Sequence, residues 1–251
     1  MAVYAVGIPI ATTAAFFSVP ILSQSFCWQS PFYLTACVSM YSAIFFWLIF
    51  KDGPLKVNSK AVMLSDVWET LSNREIWKVS LVWMFFNIVT IGFLTWAPYL
   101  FTLFKEATPV YASILSSLIM ITNFFLVPLF GLASDKVGKR KPFIIADMIF
   151  MAISLNAVVF ASGFSLVICI IILGAAAGGV PSMVMAITTQ TLPPKSAGMD
   201  FGVIAFWQNI GIATTAPIIG YIIGITNSMS LTFLGVSIFA LIGALIALTL
   251  R

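Results

Sequence analysis

A handful of side chains in this sequence are too polar for the apolar stretches that hold them. Asn87 and Thr90 lie inside one long apolar run and Asn123 in the next, while Gln208 and Asn209 lie inside another with Trp207 beside them. Thr12 and Thr13, with Phe16 one turn further on, occupy a similar run near the start. Carboxamides and hydroxyls donate and accept hydrogen bonds, which suits a hydroxylated or amide-bearing solute. Polar groups at mid-membrane depth are costly and tend to face a cavity. The competing role is an interhelical hydrogen bond, typically worth about 0.6 kcal/mol. A second group is the run Gly131-Leu132-Ala133-Ser134-Asp135-Lys136-Val137-Gly138-Lys139-Arg140-Lys141. There Gly131 lets helices approach closely, Gly138 permits a turn with positive φ, and Asp135 suits the positive end of a helix dipole. Lys139 and Arg140 are placed to pair with carboxylates. Two further acids, Asp147 and Asp200, are candidate proton carriers. The plainer expectation is that Asp147 answers the cations at 139–141 and that Asp200 sits at a helix N-terminus.

Other chemistries lack their residues. The sequence has no His, which removes the commonest proton shuttle and metal ligand. Cys27, Cys37 and Cys169 lack metal-ligand or CxxC spacing and read as small buried apolar residues. No HExxH, G-x-S-x-G, P-loop pattern or carboxylate cluster occurs. The expectation is therefore a non-enzyme with no cofactor, no metal and no nucleic-acid partner.

The elements that carry these side chains follow from composition. Hydrophobic residues make up 61% and charged residues 8% of the 251, against about 25% charged in soluble domains. Mean hydropathy is +1.10. Such a chain cannot cover a water-facing surface, so the lipid bilayer is its solvent. A membrane helix needs about 20 apolar residues. Eight runs qualify: about Ala2–Leu22, Phe32–Phe50, Trp77–Leu100, Val110–Leu132, Pro142–Ala161, Phe164–Ile187, Met199–Ile225 and Met229–Leu250. They are too long and too evenly apolar for barrel strands. The fold class expected is an all-α membrane bundle.

Lys and Arg orient it. With Met1 in the cytoplasm, Lys51, Lys56, Lys60, Arg74, Lys78, Lys136, Lys139, Arg140, Lys141, Lys195 and Arg251 all fall inside, and only Lys105 falls outside. Both termini are then cytoplasmic. In the polar stretch, Met63, Leu64, Val67, Trp68 and Leu71 lie near one face of an interfacial helix capped by Ser59. Ser72-Asn73-Arg74-Glu75 reads as a capping box opening the third span.

A short repeat organises the spans. Ile10-Ala11-Thr12-Thr13-Ala14 recurs as Ile212-Ala213-Thr214-Thr215-Ala216, an offset of 202 residues. The same offset carries the second span onto the last, and both pairs keep their orientation. Parallel repeats of this kind mark transporters. The register leaves four helices without counterparts ahead of Met1, so the expected parent has twelve spans in two halves of six.

The 131–141 run resembles the G-x-x-x-D-[RK]-x-G-[RK]-[RK] loop of the major facilitator superfamily, which joins the second and third helices of each half. Asn73-Arg74-Glu75-Ile76-Trp77 is similar to that family's entry into its seventh helix. Ala197-Gly198-x-x-x-Gly202 and Pro217-x-x-Gly220 are similar to its eleventh. The resemblance spans essentially the whole chain. It implies helices five to twelve of twelve: residues 1–50 as the last two helices of the N-terminal half, 51–76 as a cytoplasmic linker, and 77–251 as the six-helix C-terminal half. It further implies that Thr12, Thr13, Phe16, Asn87, Thr90, Asn123, Trp207, Gln208 and Asn209 line the central cavity. Gly131, Asp135, Lys136, Gly138, Lys139, Arg140 and Asp147 would form a cytoplasmic gating latch, with Asp135 facing the first span near Ala2 and Val3. Gly174–Gly179 reads as a packing and bending segment of the sixth span. The function implied is carriage of a small solute by alternating access, by a monomer in a prokaryotic plasma membrane, with a coupling proton or sodium ion compatible. The competing class is a non-transporting membrane protein or inactive remnant.

Overall fold

The structure is a computed structural model and describes residues 7–50, 68, 70–191 and 197–250. Among these residues, eight helices are long and apolar enough to cross a membrane. They are α1 (Gly7–Ser25), α2 (Ser30–Ile49), α3 (Arg74–Phe104), α4 (Pro109–Val137), α5 (Lys141–Phe160), α6 (Gly163–Thr191), α7 (Ala197–Thr226) and α8 (Met229–Ala247). The protein is an integral membrane protein of all-α class.

Helix ends follow local chemistry. Asn73 caps α3, its side chain accepting from the Glu75 N–H at 3.0 Å. This corrects the expected capping box, because Ser72 donates instead to the Trp68 carbonyl at 2.8 Å. Thr108 caps α4 ahead of Pro109, and Ser228 caps α8. Gly138 ends α4 at φ 67°, ψ 6°, with its N–H on the Ser134 carbonyl at 2.9 Å. The left-handed cap is the conformation glycine adopts without steric cost. The expected interfacial helix falls largely on 51–67, outside the described residues.

The helices pair as α3 with α7, α4 with α6, and α5 with both α6 and α8; α3 also meets α8, and α1 lies on α4. Lipid tails are as apolar as these side chains, so close van der Waals packing rather than water exclusion holds such pairs. Glycines set the closeness. A Cβ on Gly92 would come within 2.8 Å of Ile219 and 2.9 Å of Thr215, and one on Gly211 within 2.8 Å of Met84. Both sit on the α3–α7 seam. On α4–α6, a Cβ on Gly174 would fall 2.8 Å from Thr122 and 3.0 Å from the Ile119 backbone. The core runs through Ile76, Phe93, Leu100, Leu115, Met148, Leu155, Ile170 and Phe233. Helix α2 is exposed almost throughout.

The cysteine expectation is corrected in part. Cys27 and Cys37 are exposed and Cys169 is half-buried. Cys27 lies in the α1–α2 turn and Cys37 on the open surface of α2, so no other described helix covers either.

Candidate functional site

The third and seventh helices carry the polar residues that meet. Asn87 lies thirteen residues into α3, about 20 Å along it at 1.5 Å per residue. Gln208 lies eleven residues into α7. Close glycine packing brings the two helices together at this level, and two hydrogen bonds join them, with a third inside α3. Trp83 Nε1 donates to Gln208 Oε1 at 3.0 Å. Gln208 Nε2 donates to Asn87 Oδ1 at 3.3 Å. Asn87 Nδ2 donates to the Trp83 carbonyl at 2.7 Å, one turn back on α3. Asn87 and Trp83 are buried, and Gln208 is half-buried.

The remaining polar candidates are dispersed around this cluster. Thr90 is buried on α3, and its Oγ1 has no hydrogen-bond partner among the described residues. Asn123 is buried on α4 with Oδ1 unbonded, 3.3 Å from where a Cβ on Gly178 would stand. Asn209 is exposed and donates to its own helix, to the Ala205 carbonyl at 2.8 Å. Trp207 packs edge-on against Trp77, ring centroids 5.5 Å apart. Thr12 and Phe16 line a groove of about 260 Å³ with Val19, Pro20 and Ser113, on one flank of α1. Thr13 lines a separate groove of about 360 Å³ with Ile121 and Phe124, on the other flank. Consecutive helical residues point about 100° apart, which places the two threonines at different grooves here. Trp83 was not among the sequence candidates; its place one helical turn before Asn87 was the available signal.

The cytoplasmic run is mostly helix. Gly131 to Val137 complete α4, and only residues 138–140 form the turn. A Cβ on Gly131 would meet only Ser182, at 3.9 Å, an ordinary contact. Asp135 lies in the last turn of α4, and its side chain lies outside the described residues, as do Ala2 and Val3. Lys136 and Lys139 are exposed, and Arg140 immediately precedes α5. Lys141 Nζ donates to the Leu250 carbonyl at 2.8 Å. Asp147 therefore differs from expectation: its Oδ2 is buried without a hydrogen-bond partner among the described residues, and its carboxyl rests against Gly179 of α6. Six residues place it about 9 Å along the helix from Lys141, and Lys141 is turned to the end of α8. Asp200 is buried in the first turn of α7, where the helix dipole favours an acid.

The other cations also serve helix ends. Lys78 bonds Glu75 at 2.7 Å and the Thr249 carbonyl at 2.9 Å. Lys105 bonds the Val159 and Ala161 carbonyls at 2.6 and 2.9 Å, at the C-terminus of α5. Among the described residues, every Lys and Arg lies within five residues of a helix end.

Comparison with known proteins bears on this arrangement. The sequence profile of the Major Facilitator Superfamily matches residues 101–251. A Bacillus subtilis protein named "Probable galactarate/D-glucarate transporter GudP" is 29% identical over 184 residues, which are 69% of this chain and 40% of that protein. A Pseudomonas putida protein of the same name is 27% identical over 167 residues, 63% of this chain and 36% of that protein. The chain thus spans less than half the length of either relative. The crystal structure of the E. coli fucose:proton symporter FucP has the same fold, with TM-score 0.67 at 12% identity, over 89% of this chain and 55% of that one.

Proposed function

The chain belongs to the Major Facilitator Superfamily, and from that premise we propose that it carries a small polyhydroxylated solute across a bacterial plasma membrane. Two helical bundles rock about a mid-membrane site and expose it to each side in turn. One observation carries this reading: the Trp83–Gln208–Asn87 cluster, two carboxamides bonded to an indole roughly a third to two-fifths of the way along α3 and α7. Half-buried Gln208 meets the solute, and Asn87 supports it. The names of the relatives point to sugar acids as the first solutes to try, and that of FucP to a sugar. The cations described here sit at helix ends, so a solute oxygen at this depth meets amide N–H groups of α3 and α7.

The same reading takes α3–α8 as one six-helix unit, with α1 and α2 belonging to the other bundle. It puts both termini in the cytoplasm, and it makes Gly131–Arg140 a latch on the inner face that holds the bundles together while the site opens outward. A monomer is sufficient, and a proton or sodium ion is the coupling partner to test.

The experiment is uptake of labelled galactarate, D-glucarate, galactitol and fucose by cells expressing the protein. Asn87→Ala and Gln208→Ala should each raise KM about tenfold, the loss of one well-placed hydrogen bond, with Vmax nearly unchanged. Intact KM in both variants would remove these residues from the site. Uptake of none of the four by the unaltered protein would favour a non-transporting membrane protein instead.

A further inference from the structure

The hydrogen bonds between α3 and α7 have a direction, and Trp83 sets it. An indole N–H donates and never accepts. The 3.0 Å bond from Trp83 Nε1 therefore requires the carbonyl end, not the amino end, of Gln208 to face it. With Oε1 held there, Nε2 is the end that meets Asn87, and it donates to Oδ1 at 3.3 Å. Asn87 then has Nδ2 as its donor, and that group bonds the Trp83 carbonyl at 2.7 Å. The chain of bonds starts and ends on one residue. A carboxamide without such a reference turns over at little cost, because its two ends are nearly the same size.

Trp83 is itself well held. It is 8% exposed and stacks on Phe86 with centroids 5.2 Å apart and planes 16° apart. The fit of Gly211 against Met84 and Ile88 keeps α7 close to α3 near this level. Asn87 is 5% exposed. Gln208 is half-buried and so is the member of the three with open surface. Two of its four hydrogen-bonding positions are used: one Oε1 lone pair toward Trp83 and one Nε2 proton toward Asn87. Of the two left, a lone pair on Oε1 and the second Nε2 proton, only the proton can donate.

We propose that Trp83 is a positioning residue of the solute site. Its indole N–H fixes the Gln208 carboxamide so that the free Nε2 proton is offered to an acceptor oxygen of the solute. The inference rests on the transport reading above and names the chemistry that reading leaves open. A turned-over Gln208 would present its carbonyl oxygen instead. That oxygen still accepts from a hydroxyl but repels a carboxylate, which has only lone pairs to offer. The fixed orientation therefore selects a carboxylate-bearing polyol over its neutral counterpart.

The test compares KM and Vmax for galactarate and for galactitol in the unaltered protein, Trp83→Phe, Gln208→Ala and the double variant. Trp83→Phe keeps the ring and removes the donor. It should raise KM for galactarate about five- to tenfold, with Vmax within about twofold and a smaller change for galactitol. The double variant should be no worse than Gln208→Ala, because both changes remove one shared interaction. A Trp83→Phe protein with unchanged KM, an effect on Vmax alone, or effects that add to those of Gln208→Ala would overturn the assignment. Should Trp83→Phe fail to reach the membrane, Gln208→Glu decides: it keeps the indole's acceptor but offers no N–H. An unaltered KM for galactarate in that variant overturns the proposal. Uptake of neither solute by the unaltered protein overturns this assignment, and the transport reading falls with it only if D-glucarate and fucose are refused as well.

Discussion

At the scale of single residues, Asp147 of α5 packs directly against Gly179 of α6. A Cβ on Gly179 would collide with the Asp147 carboxyl, whose Oδ2 has no hydrogen-bond partner among the described residues. Overpacking of this kind costs about 1–3 kcal/mol. Gly179→Ala should therefore lower the melting temperature in detergent, and Asp147→Ala added to it should restore most of the loss. Gly202→Ala is the control: a Cβ there meets nothing within 4 Å, so its effect should stay within about 0.5 kcal/mol. Equal melting of the two glycine variants would show that α5 and α6 do not pack as closely as described. The difference between the tight glycines of the run Gly174–Gly179 and the open Gly202 was not legible in the sequence, since composition does not reveal which glycine meets a neighbour.

At the scale of helices, the lysines act as C-terminal caps. The last carbonyls of a helix lack intrahelical donors and carry the negative end of its dipole. Lys105 reaches from the end of α3 to two carbonyls at the end of α5, and Lys78 and Lys141 reach the residues after α8. This gives Lys105 a structural reason to stand as the exception to the positive-inside pattern. Lys105→Met keeps the alkyl stem and removes the charge. It should cost about 1 kcal/mol and loosen α5 at that end, read as faster amide exchange at Val159–Ser162. Exchange unchanged there would mean that water or lipid headgroups satisfy those carbonyls equally well.

At the scale of the whole molecule, orientation is the open quantity with the simplest test. The α1–α2 turn and the Gly138 turn are expected on opposite sides of the membrane. Cys27 in the first turn is exposed, and its hydrogen bond with the Ser30 hydroxyl pulls its thiol below the usual range. Thiolate is the reactive form, so labelling there sets in at lower pH than for an ordinary cysteine. A membrane-impermeant thiol reagent should label Cys27 in intact cells, and Lys139→Cys only after permeabilisation. The reverse pattern would invert the topology.

Sequence alone determined the solvent, the eight membrane-length helices among the described residues and their limits to within about five residues. These follow from apolar run length against a bilayer of set thickness and from cap and turn residues such as Asn73 and Gly138, all local quantities. It also exposed the family through the spacing of Gly131, Asp135 and Gly138. Tertiary structure alone decided which polar residues meet. Asn87 and Gln208 lie 121 residues apart and join because glycines let α3 and α7 close on one another, while Thr12 and Thr13 part onto two flanks of α1. A helix that is apolar all round gives no sign of which face will find a partner, so the pairing, and the part Trp83 plays in it, emerges only from packing.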